Sequence, residues 1–143
     1  MENKSICHEV KVLSNLIRRK TIDSDCLKEI GPILGSQGYI IKYLSENQNC
    51  DIFQKDIEKK FKIRRSTVTS ALNRMEKGGL VVRQSVERDS RLKKISLTEK
   101  GLSLHNYIEN QFKNIENNLK AVLSKEEIDN FYIIIKKLQA VVE

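Results

Sequence analysis

Apolar residues recur at helical spacing in two short segments near the middle of the 143-residue chain. A first helix is predicted over residues 53–61, where two apolar side chains four positions apart share one face. A second helix is predicted over residues 65–77, with apolar residues at i, i+4 and i+7. The Gly78-Gly79 pair follows it, and glycine just past the last periodic residue is typical of a helix end. The apolar positions of the two helices are Ile57, Phe61, Val68, Leu72 and Met75.

After the second helix the pattern changes to short strand-like runs. Leu80–Val82 and Lys94–Leu97 are predicted strands, and the polar run Glu87–Arg91 between them predicts a turn. Asp51–Ile52 is predicted as a further short strand beside this hairpin. Two close helices followed by a hairpin indicate a winged helix-turn-helix, which places its second helix in the DNA major groove.

Helix caps are less regular in this unit. Phe53 and Arg64 occupy the positions before the two helices where a Ser or Thr cap is usual. We therefore expect Asp51 to cap the first helix and the second helix to lack a side-chain cap.

On the N-terminal side, apolar residues over 4–20 repeat at i, i+4, i+7 and i+11 and predict one amphipathic helix. The following segment is expected to be irregular, with a helical turn at Cys26–Ile30 before a Gly-Pro break. A further helix is predicted from Ser36 or Gln37 to Glu46, with Ser36 as its cap.

On the C-terminal side, Thr98 is predicted to cap a helix whose apolar face continues for about 25 residues. Ser124 and Glu127 match a capping box, which predicts a last helix that runs to the terminus. The terminal helices carry more apolar surface than the winged unit can cover, and such stripes are rare on soluble monomers. A homodimer is therefore predicted, with two recognition helices about one DNA turn apart on a near-palindromic operator. The alternative is a monomer with these helices folded back on themselves.

The distribution of charge along the chain indicates a function for this fold. Residues 54–100 contain 14 Lys and Arg and 6 Asp and Glu, a net charge of +8, although the whole chain carries only +7. All the excess positive charge therefore lies in the winged unit, as expected of a DNA-binding surface. An ordinary solvated basic surface would be spread along the chain.

The predicted DNA contacts lie on the two helices and at the tip of the hairpin. Short hydroxyl and amide side chains on the polar side of the second helix suit base edges or phosphates, although Ser and Thr at a helix start can act as caps alone. Arg65 is suited to a bidentate contact with guanine. The contact candidates are Gln54, Lys55, Arg64, Arg65, Ser66, Thr67, Thr69, Ser70, Asn73, Arg74, Arg88, Asp89, Arg91 and Lys93. Lys94 would add a phosphate contact.

The motifs resemble those of the MarR family of bacterial transcriptional regulators. The resemblance is dense over residues 34–101 and rests on Gln54, on the run from Arg64 to Leu80, on Asp89-x-Arg91 and on Leu97-Thr98-x-x-Gly101. It implies a mainly α fold with a small β-hairpin wing, in which residues 36–101 form the DNA-binding region. Residues 1–35 and 102–143 would be dimerisation helices of the same single domain. By the same resemblance, Asp89 braces the wing and Arg91 enters the minor groove, whose narrow form attracts an inserted arginine.

Family resemblance also implies a repressor that a small ligand or oxidation releases from DNA. The ligand would bind between the dimer helices and the winged unit, where Ile17, Tyr39, Tyr43, His105 and Tyr107 are the candidate lining residues. Two Tyr on one helix are more often core residues. Cys7 is the candidate redox sensor, with a small half-buried hydrophobic residue as its alternative role. Activator function is not excluded.

Other functional classes fit the sequence less well. It contains no paired catalytic carboxylates, Ser/His/Asp order, phosphate-binding Gly loop or metal-ligand spacing, so neither an enzyme nor a cofactor is expected. Three scattered Cys form no CxxC pair, and no apolar run would span a membrane or serve as a signal peptide. A cytoplasmic protein is the simplest expectation. The remaining alternative is a winged-helix adaptor that binds protein partners and would not need Arg65, Arg91 or the basic charge.

Overall fold

The structure, a computed structural model, describes residues 4–22 and 37–143. The predicted turn at Cys26–Ile30 and the predicted Ser36 cap lie outside the described residues. In chain order the described elements are α1 (Ile6–Ile22), α2 (Gln37–Glu46), α3 (Gln54–Phe61), α4 (Arg65–Lys77), β1 (Val81–Val86), β2 (Asp89–Leu97), α5 (Glu99–Ala121) and α6 (Lys125–Val142). The mainly helical fold with one β-hairpin confirms the predicted fold class.

One hydrophobic core holds the winged unit together. Apolar side chains from α2, α3 and α4 meet the base of the hairpin and the first three turns of α5. The periodic positions predicted from the sequence are its central members, and Ile57, Val68, Leu72 and Met75 are fully buried. The other buried members of the core are Ile40, Ile41, Leu44, Ile52, Ala71, Leu80, Val81, Ile95, Leu104 and Ile108.

The wing, formed by β1 and β2, is longer than predicted. Only Glu87 and Arg88 separate the two strands, so the predicted turn over Glu87–Arg91 is too long and Arg91 lies in β2. The strands pair antiparallel from Val81 opposite Leu97 outwards, and the register shifts between Ser85 and Val86. Backbone hydrogen bonds continue the ladder through polar residues, which apolar patterning does not detect.

The segment before α3 differs from both predictions made for it. Residues 51–53 form no regular strand, although the carbonyl of Ile52 accepts a 2.8 Å hydrogen bond from the amide of Ile95 on the wing. Asp51 does not cap α3, because its carboxylate lies 2.9 Å from the ammonium of Lys94. Instead Asp56, in the first turn of α3, accepts a 2.9 Å hydrogen bond from the amide of Phe53. An acidic residue also suits the positive end of the helix dipole there.

The cap predictions for α4, α5 and α6 are confirmed. No described side chain caps α4 at Arg64, and the first turn of that helix is closed by backbone hydrogen bonds to the Arg64 carbonyl. The hydroxyl of Thr98 accepts from the Gly101 amide at 3.1 Å and donates to the Gly79 carbonyl at 2.5 Å. Ser124 and Glu127 form the expected capping box at the start of α6. Thr98 therefore joins α5 to the end of α4 as well as capping it.

The outer helices, α1 and α6, are exposed along most of their length. None of the residues of α6 is buried, and α1 likewise exposes most of its apolar side chains. The C-terminal end of α6 contacts the turn after α3, where the carboxylate of Glu143 pairs with Lys62 and this contact lowers its pKa. Among the described residues, no helix is long and apolar enough to cross a membrane.

Candidate nucleic-acid interface

Helix α4 presents one polar, basic face to solvent. Its opposite face supplies four buried residues to the core, so the 3.6-residue period turns the remaining positions outwards. The exposed positions are Arg65, Ser66, Thr67, Ser70, Asn73, Arg74, Glu76 and Lys77. Six of the predicted contact residues are therefore on one accessible helix face.

The start of α3 is hydrogen-bonded to α4. The Gln54 amide nitrogen donates to the Thr69 hydroxyl at 2.7 Å and to the Arg65 carbonyl at 3.3 Å. Gln54 and Thr69 are both half-buried, whereas Lys55 and Arg64 are exposed. The hydrogen bonds of Gln54 thus join the start of α3 to α4. The hydroxyl proton of Thr69 stays available to an acceptor on DNA.

At the tip of the wing, Asp89 holds Arg91. One Asp89 carboxylate oxygen accepts from the Arg91 amide at 2.9 Å, and both oxygens accept from its guanidinium at 3.2 Å. These hydrogen bonds, from the side chain first and then the backbone, lower the pKa of Asp89, and the nearby charge of Arg88 adds to the effect. The Arg91 side chain is 89% exposed. The arrangement presents a positive group to solvent at the start of β2, beside the turn of the wing.

Three other basic side chains of the wing already have partners within the chain. The Arg88 guanidinium carbon lies 5.4 Å from the centre of the Phe53 ring, at cation–π distance. The Lys93 ammonium donates to the Ser85 hydroxyl on the opposite strand. Lys94 pairs with Asp51, as described above, so a phosphate contact from Lys94 would require that ion pair to open.

Arg83 was not predicted from the sequence to belong to this interface. Arg83 on β1 extends its guanidinium to α4, where Nε donates to Glu76 at 2.7 Å and Nη2 donates to the Asn73 side-chain oxygen at 2.6 Å. Asn73 was predicted to contact DNA, but its bond to the wing was not anticipated. No local pattern pairs these residues, because they lie seven and ten positions apart on different elements.

The predicted ligand-lining residues lie on three helices, α1, α2 and α5. Tyr39 and Tyr43 lie in an aromatic cluster, with ring centres 5.0 Å apart for Tyr39 and Phe112 and 5.8 Å apart for Tyr43 and Phe61. Burial, followed by the charge of Glu116, raises the pKa of Tyr39.

The other candidates lie on α1 and α5. The ring of His105 lies 3.2 Å from the Ser45 hydroxyl and 3.3 Å from the Glu109 carboxylate. Tyr107 packs on the core, and Ile17 is half-buried on α1. The ligand pocket therefore stays a prediction.

Thiols and metal ligands add no second site to the described part of the chain. Cys7 is exposed in the first turn of α1, and Cys50 is exposed after α2. The half-buried alternative for Cys7 is therefore wrong for this chain by itself, and its role as a sensor stays a prediction. Within residues 4–22 and 37–143, no group of three or more His, Cys, Asp or Glu could hold a metal ion.

Comparisons with known proteins agree with this geometry. A model of the MarR family matches residues 32–92. The HTH-type transcriptional regulator SarZ of Staphylococcus epidermidis is 31% identical over 128 residues, which cover 90% of this chain and 82% of SarZ.

Two solved structures extend the similarity to the whole fold. The transcription regulator MarR of Oenococcus oeni has a TM-score of 0.77 and 31% identity, covering 95% of this chain and 99% of that protein. The Staphylococcus aureus MepR–DNA complex has a TM-score of 0.85 and 25% identity, covering 99% of this chain and 100% of MepR. The chain has the helix-turn-helix and the wing, and it is 31% identical to SarZ over 90% of its length. It therefore belongs to the MarR family of transcriptional regulators.

Proposed function

We propose that this protein is a homodimeric transcriptional regulator that binds a near-palindromic operator in double-stranded DNA. The observation that carries the proposal is the exposed face of α4, with its arginines, hydroxyls and amide, beside a wing whose Arg91 is 89% exposed. In a winged helix-turn-helix, such a helix reads base edges in the major groove. Arg91 would enter the adjacent minor groove, and Asp89 would hold the loop that carries it.

The dimer is supported by the apolar surface of the outer helices. On α1, Ile6 and Val10 expose 61% and 52% of their surface, and on α6 Phe131 and Ile134 expose 46% and 54%. Exposed apolar residues in this number are normally covered by another chain. We assign residues 1–35 and 102–143 to dimerisation and residues 36–101 to DNA binding. A second copy also supplies the second recognition helix that a near-palindromic operator requires.

Repression with release by an effector is the proposed mode of regulation. A dimer bound across a promoter blocks transcription by occupying the DNA. A small molecule releases the DNA only if it binds better to a form of the dimer in which the two winged units no longer match successive grooves. Tyr39, Tyr43, His105 and Ile17 are the proposed lining residues, and oxidation of Cys7 is the alternative signal. Phenolic compounds and peroxide are the effectors to be tested first.

The proposal is tested by measuring DNA affinity in a salt series. The probes are the DNA upstream of the protein's own gene and a scrambled duplex of the same length and composition. We expect tight, saturable binding to the first and weak binding to the second. For both, the logarithm of affinity should fall linearly with the logarithm of salt concentration, because phosphate contacts release counterions. Equal weak binding to both duplexes would contradict specific regulation by this DNA and favour an adaptor.

Arg91→Ala separates the two readings further. Because the Arg91 side chain is almost fully exposed, its removal should leave the fold and the dimer intact. A DNA-binding regulator should lose roughly five- to hundredfold in affinity, the range for one specific arginine contact. Replacement of the exposed Lys137 of α6 by alanine removes the same charge outside the winged unit and is the matched control. An adaptor would retain its DNA affinity in both variants.

A further inference from the structure

The contact between β1 and α4 joins the wing to the recognition helix through one side chain. Arg83 donates to Glu76 through Nε at 2.7 Å and to Asn73 through Nη2 at 2.6 Å, and Nη2 also pairs with the Glu76 carboxylate. The side chain of Arg83 is only 26% exposed. Its fork of N–H donors therefore bridges two acceptors that lie three residues apart on one helix face.

This bridge determines how Asn73 faces the DNA. An Asn amide has an oxygen that accepts and a nitrogen that donates two hydrogen bonds. Arg83 only donates, so it holds the Asn73 oxygen towards the wing and turns the amide nitrogen away from it. In the major groove, that nitrogen can donate to purine N7, guanine O6 or thymine O4, whereas it cannot accept from the amino group of cytosine.

We infer that Arg83 is a positioning residue that fixes the orientation of Asn73 and so determines which base edge α4 recognises. The inference rests on the DNA binding proposed above. Arg83 acts through Asn73 and Glu76 and does not need to touch DNA. Its charge is locally balanced by Glu76, which distinguishes it from an arginine that binds phosphate.

The test uses a double variant with unchanged net charge, Glu76→Gln with Arg83→Met. It removes the bridge without altering the charge that the winged unit offers to phosphates. We expect its affinity for the upstream DNA to fall about tenfold, as for the loss of one specific base contact. Affinity for the scrambled duplex and the salt dependence should not change, because the phosphate contacts remain.

Two further variants act as comparisons. Lys93→Met removes one positive charge from the other strand of the wing. It should lower the affinity for both duplexes alike and lower the salt slope by about 1. Arg83→Lys keeps the charge but replaces the planar fork by a single ammonium group. It should therefore lose discrimination as the double variant does. Circular dichroism and thermal unfolding verify that each variant is folded before its binding is interpreted.

The outcomes separate this inference from the proposed function. If wild-type protein discriminates between the duplexes and the double variant discriminates equally well, Arg83 does not position Asn73 for base recognition. If the double variant binds both duplexes equally more weakly and with a lower salt slope, Arg83 is an ordinary phosphate contact and the inference is wrong. If wild-type protein does not discriminate at all, the proposed function itself fails.

A readout without DNA tests the orientation of Asn73 directly. In the free protein, the NMR signals of the Asn73 side-chain amide should shift in Arg83→Met and remain close to wild type in Lys93→Met. Unchanged Asn73 signals in Arg83→Met would overturn the inference regardless of the DNA result.

Discussion

At the scale of single residues, several side chains predicted to contact DNA also bind within the chain. Thr69 accepts from Gln54, Asn73 accepts from Arg83, and Arg91 is held by Asp89. Each of these groups has donor or acceptor capacity left after its internal bond. The internal partners therefore orient the contact residues before DNA arrives, which lowers the entropy cost of ordering them on binding.

Asp89 gives a prediction about pH. The hydrogen bonds from Arg91 lower its pKa in the folded protein, so the brace is fully present above the unfolded-state pKa of the carboxyl group. The stabilisation is lost as the pH falls through the lower folded-state pKa. We expect Arg91→Ala to raise the pKa of Asp89 towards its ordinary value, measured by NMR titration of the carboxyl carbon. Arg88→Ala should raise it less, because Arg88 acts only through its charge. An Asp89 pKa that is unchanged in Arg91→Ala would show that Arg91 does not brace the loop.

At the scale of elements, the wing and the start of α5 pack so closely that there is no room for a side chain at Gly101. Gly101 lies in the first turn of α5, where an added Cβ would lie 2.2 Å from the Leu80 carbonyl oxygen and 3.1 Å from the Leu97 side chain. Thr98 joins the same junction by its hydrogen bonds to Gly101 and Gly79. The Thr98-x-x-Gly101 motif therefore has a steric reason, because only glycine lets the helix start so close to the wing.

Gly101→Ala should accordingly destabilise the winged unit. The clash involves the backbone of Leu80, which cannot move without shifting β1, so we expect a loss of about 1–3 kcal/mol or more. The free energy of unfolding from urea titration is the measurement. Gly38→Ala in α2 is the control, because its added Cβ would lie 3.4 Å from the Phe112 ring, at ordinary contact distance. That change should be neutral or stabilising by up to ~1 kcal/mol, since alanine favours a helix more than glycine does. Equal effects of the two changes would contradict the steric explanation.

At the scale of the whole molecule, the chain divides into a compact winged unit and outer helices that it does not bury. The core ends at Ile108, two and a half turns into α5, while the final helix contributes no buried residue. Four consecutive apolar residues of α6, from Phe131 to Ile134, each expose about half of their surface. Consecutive positions face different sides of a helix, so the proposed dimer must surround α6 on more than one side.

Truncation after Leu123 tests this arrangement. It removes α6, and we expect the truncated protein to lose both dimerisation and DNA affinity, because a single recognition helix then meets the operator. Ile134→Glu in the full chain should weaken the dimer in the same direction without removing a helix. The mass measured by light scattering for wild-type protein should be about twice 16.6 kDa. A soluble monomer with unchanged DNA affinity after truncation would favour helices that fold back on their own chain.

Local chemistry in the sequence was enough to predict most of the elements. The i, i+4, i+7 spacing of Val68, Leu72 and Met75 identified α4 and its buried face, because helical periodicity is set by the backbone alone. The caps at Thr98 and Ser124 were equally local, since each bonds within its own first turn. The excess charge of the winged unit and the wing motif indicated nucleic acid before any fold was known.

Contacts between elements were decided by the tertiary structure alone. Asp51 was expected to cap α3 but pairs with Lys94, which is 43 positions away in the sequence. Arg83 was not expected to touch α4, and only the packing of β1 beside that helix brings its guanidinium to Glu76 and Asn73. A side-chain pattern reports periodicity along one element, whereas these pairings depend on the angles at which separate elements pack. The sequence by itself therefore determined most of the helices, the caps at Thr98 and Ser124 and the DNA-binding character, and the fold decided how the predicted contact residues are held.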